Sequence, residues 1–140
     1  MVEDVVVAKE TLTESMIRAG QELIKKLDEI NWPVTAGLWF YFPESNRWKL
    51  LVASPVVKRE GPKRAYSQLL EVLKQIPEDT PRVALEDLVA IEDDHPLVAL
   101  LGKAARVSGK TAGVRLSRNA IDGQLIEDAY IYRLDAGDRE

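Results

Sequence analysis

The sequence predicts an α+β fold: one domain with a mostly antiparallel sheet, built from two β-hairpins plus one further strand and packed by three helices. Two observations carry this. Residues 35–53 and 113–134 each read as two strands around a turn. Three other stretches instead repeat apolar residues every three or four positions, the spacing of a helix with one buried face. Adjacent hairpins imply antiparallel pairing, and helices segregated from them imply α+β rather than a wound parallel sheet.

Residues 1–10 read as a flexible arm or edge strand, residues 11–134 as the domain, and residues 135–140 as a polar tail. Thr11-Leu12-Thr13-Glu14 fits a capping box with Thr11 as N-cap. Leu12, Met16, Ile17, Gly20, Leu23, Ile24, Leu27 and Ile30 then form a helical stripe, ended at Asn31-Trp32-Pro33 because a residue before proline is pushed out of the helical region. In the first hairpin a four-residue turn, Pro43-Glu44-Ser45-Asn46, sets Tyr41 against Trp48, Trp39 against Leu50, Phe40 against Lys49 and Phe42 against Arg47. Trp39, Tyr41, Trp48, Leu50 and Val52 then share one face, and Leu38, Phe40, Phe42, Leu51 and Ala53 the other. Both faces are apolar, so both need cover, with Trp39, Phe40 and Leu51 buried.

Ser54-Pro55 ends that hairpin, and Gly61-Pro62 opens a second helix with proline where a missing N–H costs nothing. Ala65, Leu69, Val72, Leu73 and Ile76 are its buried stripe, and Pro77 stops it. Residues 82–91 fit either one kinked strand or strand-turn-strand. A third helix is expected from an Asp94 N-cap, closed at Val107-Ser108-Gly109. The last hairpin turns at Asp122-Gly123, a strong signal for a tight primed turn.

Composition narrows the function classes. The chain has 140 residues, no cysteine and a net charge of −4. Disulfides and thiolate zinc sites are excluded. The short acidic N-terminal apolar run is neither a signal peptide nor a membrane span, so a cytoplasmic protein without a membrane partner is expected. The negative charge argues against a dedicated nucleic-acid binder. Charge is nevertheless segregated: Glu78, Asp79, Glu86, Asp87, Glu92, Asp93 and Asp94 face one base, Arg82, whereas residues 103–118 carry Lys103, Arg106, Lys110, Arg115 and Arg118 with no acid. A second basic cluster is Lys58, Arg59, Lys63 and Arg64.

Several constellations fail as catalytic motifs. Ser108-Gly109-Lys110-Thr111 lacks the earlier phosphate-loop glycine, the position holding Ala104, and it follows a helix instead of a strand. Glu92-Asp93-Asp94-His95 fits helix capping better than chelation, and no metal or cofactor is expected. His95 is the only histidine, and no nucleophile elbow accompanies it. Two candidate binding surfaces remain. Arg115, Ser117, Asn119, Asp128, Tyr130 and Tyr132 line one face of the last hairpin, where Ser117 opposes Asp128 and Arg115 opposes Tyr130. Lys58, Arg59, Lys63 and Arg64 surround a helix N-terminus, a place suited to an anion.

Residues 37–45, 51–55, 117–119 and 126–134 resemble those of short bacterial proteins of unassigned function. The resemblance implies a bacterial origin and a compact domain, and it transfers no site residue. The leading expectation is a non-enzymatic protein-interaction or regulatory module, with self-association open. The alternatives are a nucleic-acid-associated accessory protein using clusters 58–64 and 103–118, and an enzyme on a small anionic substrate using Arg115, Asp128 and Tyr130.

Overall fold

The computed structural model describes residues 8–104 and 113–135. The elements run α1 (Glu14–Glu29), β1 (Ala36–Phe42), β2 (Arg47–Ser54), α2 (Pro55–Glu60), α3 (Pro62–Gln75), a 3-10 turn (Leu85–Asp87), β3 (Leu88–Glu92), α4 (Pro96–Ala104), β4 (Val114–Ile121) and β5 (Gln124–Leu134). The class is α+β. Five strands form one sheet in the order β3-β2-β1-β5-β4. Both hairpins pair antiparallel, and β1 pairs antiparallel with β5, which joins them. The sheet is mixed, because β3 runs parallel to β2. A parallel neighbour needs a long crossover, and α2 with α3 supplies it.

Two cores lie on the two sides of the sheet. Trp39, Tyr41, Trp48, Leu50 and Val52 pack with Leu23, Ile24 and Leu27 of α1 and Leu69, Val72 and Leu73 of α3. Leu38, Leu51 and Ala53 pack with Val98 and Leu101 of α4 and with Leu116, Ala129 and Ile131. The expected pairing of the first hairpin holds at all four positions, as does its division between two faces. Trp39 and Leu51 are buried, but Phe40 is only partly covered and packs edge-on against Phe42.

Several local expectations are corrected. The N-cap of α1 is Thr13, whose hydroxyl accepts from the Met16 N–H at 3.1 Å. Leu12 before it and Ile17 beyond it both join the first core, the arrangement of a hydrophobic staple, and this fixes Thr13 as the cap in place of Thr11. Ile30 lies past the helix and is 50% exposed. There are four helices among the described residues, not three: Ser54 caps an extra helix by accepting from the Val56 N–H, with Pro55 in its first turn. Residues 82–91 contain one strand, preceded by the 3-10 turn. The N-cap of α4 is His95, whose Nδ1 accepts from the Leu97 N–H at 3.0 Å, while Asp94 pairs with Lys58 on α2. The expected end of that helix, residues 107–109, lies outside the described residues, as do the 108–111 stretch, Arg106 and Lys110.

Two departures from strict alternation shape the last strands. Gly37 pairs with Arg133 while Leu38 pairs with Ile131, so β5 carries an extra residue there. Tyr132 and Arg133 therefore both turn toward α1, and Ile131 and Leu134 both enter the second core. On β4, Leu116 and Ile121 both reach the second core although an odd number of positions separates them. Arg118 lies between them with φ of 52°, and the faces exchange there.

Candidate interaction site

Asp128 is the centre of the polar strip on the last hairpin. Its side chain is 5% exposed and belongs to the face that carries the first core. A carboxylate at such a depth needs partners, and three donors supply them. Arg115 holds it with two parallel bonds, Nε to Oδ1 at 2.6 Å and a terminal nitrogen to Oδ2 at 2.9 Å. The Ser117 hydroxyl donates to Oδ1 at 3.2 Å. Lys9, 119 positions earlier, donates to Oδ2 at 2.7 Å. Burial pushes the Asp128 carboxyl up, but the bonds and charges of Arg115 and Lys9 outweigh it and hold the pKa at about 2.

The two cations also lie over aromatic rings. Arg115 is 5.5 Å from the Trp48 ring centre, and Lys9 is 4.7 Å from that of Tyr41. Tyr41 and Trp48 are a tilted pair 5.4 Å apart, as their cross-strand opposition requires. The Arg115 side chain stays 47% exposed at the rim.

The structure thus brings Arg115, Ser117 and Asp128 together, with Tyr130 beside them as the cross-strand partner of Arg115. Tyr132 is not at the surface. Its ring is buried beneath α1, its hydroxyl donates to the Ile17 carbonyl, and it accepts from the Trp39 indole N–H at 3.0 Å. Asn119 keeps its expected partner Ile126 but leaves the strip, because the exchange of faces at Arg118 puts that pair on the side of the second core. Neither change is readable from alternation alone.

The basic cluster lies elsewhere. Lys58 and Arg59 are exposed on α2, and Lys63 and Arg64 on the first turn of α3. Lys58 pairs with Asp94, and Arg64 with Glu60 at 3.1 Å. Helix α2 touches β2 and β3, whereas Arg115 stands on β4 at the opposite edge of the sheet. The two candidate surfaces are therefore separate. Among the described residues no set of three acidic or histidine side chains converges as a metal site, and no helix is long and apolar enough to cross a membrane.

Sequence reasoning missed Lys9, Glu10 and Asn46. The Glu10 carbonyl accepts from the Trp48 indole at 2.8 Å, and the Glu10 carboxylate accepts from the Trp48 N–H at 3.1 Å. That N–H lies beyond the reach of β3, whose pairing with β2 begins at Leu50. Residues 8–10 look featureless in sequence, since their contacts are all long-range. Asn46 offers one signal, a turn position with φ of 55°, a region that asparagine tolerates better than most residues.

No protein-family model, curated protein or solved structure matches this chain.

Proposed function

We propose that this chain is a non-enzymatic protein-interaction module whose contact surface is the Arg115–Asp128 site. One observation carries the reading: Arg115 is half exposed yet held by two bonds to a buried carboxylate and laid over Trp48. An arginine already ordered loses little rotamer freedom on binding, and arginine beside aromatic side chains is the composition of binding hot spots.

The other readings draw less support. Asp128 is held ionised far below neutral pH, which makes it a poor general base. Trp39, Tyr41 and Trp48 are buried, so they offer no platform for stacking bases. Lys58, Arg64, Lys103, Arg115 and Arg118 each have a carboxylate partner, which weakens the positive field a nucleic acid would meet.

A pull-down with immobilised parent and Arg115→Gln chains tests the proposal. Loss of a captured protein by the variant is expected, with a lowered melting temperature but a circular dichroism spectrum at the assay temperature that matches the parent's. Equal capture overturns it. If the glutamine variant unfolds, Arg115→Lys keeps a cation beside Asp128 while removing the two-bond fork, and the same comparison decides.

A further inference from the structure

Residues Ala8 to Glu10 lie across the first hairpin as a bound peptide lies on a receptor. Asn46 grips their backbone on both sides of Lys9: its Oδ1 accepts from the Glu10 N–H at 2.8 Å, and its Nδ2 donates to the Ala8 carbonyl at 3.0 Å. The Tyr41 hydroxyl donates to the same Oδ1 at 2.6 Å and fixes the carboxamide. Between these grips the Lys9 ammonium enters a cage of one carboxylate and two rings, Asp128 at 2.7 Å, Tyr41 at 4.7 Å and Trp48 at 5.8 Å. Trp48 takes the Glu10 carbonyl and carboxylate, and Arg47 stands 3.9 Å from that carboxylate.

The two sides of this contact differ in kind. Tyr41, Trp48 and Asp128 are buried parts of the sheet and keep their places through the core. Ala8, Lys9 and Glu10 are all exposed and add almost no apolar burial. Segments with few buried apolar contacts open at low cost. The receptor side reads only backbone, an ammonium and a neighbouring carboxylate, so another chain with the same features can take the same bonds.

We propose that the surface formed by Asn46, Tyr41, Trp48 and Asp128 recognises an extended Lys-Glu segment of a partner protein, and that Ala8–Glu10 fills it in cis until the partner displaces it. The inference rests on the interaction reading above and gives that site its ligand. Recognition demands the lysine charge, prefers glutamate after it, and is indifferent to the residue before it, which is held by its carbonyl alone. Acetylation of the incoming lysine removes the charge and abolishes binding.

The test titrates a labelled, N-acetylated peptide with the sequence of residues 8–13 into the full chain and into a Lys9→Ala, Glu10→Ala double variant, read by fluorescence anisotropy. A site closed most of the time weakens apparent affinity by its open fraction. The opened variant is therefore expected to bind about tenfold tighter than the parent, and a peptide with norleucine for lysine to lose that affinity. Adding Asn46→Ala to the opened variant is expected to weaken binding of the lysine peptide. Equal binding of the lysine and norleucine peptides overturns the proposal, as does no binding to an opened variant whose circular dichroism matches the parent's. A parent that sediments as a dimer, with the opened variant a monomer, assigns the occupant to a second copy and overturns the partner assignment. If Arg115-dependent capture persists while no peptide binds, the Lys-Glu specificity falls and the interaction reading stands.

Discussion

The ring of Tyr132 occupies the space that a side chain at Gly20 would need: a Cβ there would run into the tyrosine hydroxyl oxygen and lie 2.9 Å from the ring. Glycine in mid-helix costs up to about 1 kcal/mol relative to alanine, so its presence in α1 asks for a reason. Tyr132 cannot step aside cheaply, because its hydroxyl is tied to the Ile17 carbonyl and the Trp39 indole. Overpacking of about 1–3 kcal/mol therefore outweighs the propensity gain. Gly20→Ala is expected to destabilise the fold, and Gly20→Ala with Tyr132→Leu to recover part of the loss in a urea-melt double-mutant cycle. A Gly20→Ala chain as stable as the parent would sink this account.

Leu51 is buried in the second core on a strand covered on both sides. Leu51→Ala is expected to cost about 2–5 kcal/mol, from lost transfer energy and the cavity left behind. Thermal denaturation checks this, and an unchanged melting temperature contradicts it.

The Asp128 carboxyl is held at about 2 in the folded chain, below the roughly 3.9 of an unfolded aspartate. Its contribution is therefore complete above about pH 4 and is lost as the pH falls toward 2. The shift corresponds to at most about 2–3 kcal/mol, reduced by the solvent that reaches Arg115 and Lys9. The stability gap between parent and Asp128→Asn is expected to be constant from pH 5 to 7 and to close below pH 4. A gap that stays constant down to pH 2 would count against this ion pair as its source.

Arg118 occupies the left-handed region at φ of 52°, where a side chain costs about 1–2 kcal/mol. Its exposed pairing with Glu127 at 3.4 Å returns little. Glycine removes the strain but adds freedom to the unfolded chain, so Arg118→Gly is expected to be close to neutral. Valine, branched at Cβ, is expected to cost about 1–2 kcal/mol. If chemical denaturation finds glycine and valine equivalent, the backbone there is not strained as described.

The first hairpin was legible because a short turn between two apolar runs leaves one register that buries both faces, and Tyr41 meets Trp48 accordingly. Helix α2 was not legible, since six residues give less than two turns and no periodicity to detect. Nor was the direction of β3, which depends on the crossover and not on its own residues. At the site, the cross-strand set Arg115, Ser117 and Asp128 followed from the Asp122-Gly123 turn. The loss of Asn119 came from the backbone irregularity at Arg118, and that of Tyr132 from the cover of α1 over the face it shares with Tyr130; side-chain patterning encodes neither.

Because the backbones of the two hairpins pair only through the β1–β5 ladder, the central strand has a history during synthesis. One edge of β1 is paired by β2 within a few residues, but the other waits for β5 to leave the ribosome. At ordinary elongation rates the stretch from Phe42 to Leu134 takes roughly 5–20 s. Throughout that interval β1 presents an unsatisfied edge flanked by apolar faces, the kind of template that recruits other nascent chains. The nascent first hairpin is the part of this protein most in need of a chaperone, even though it ends as the centre of the finished sheet.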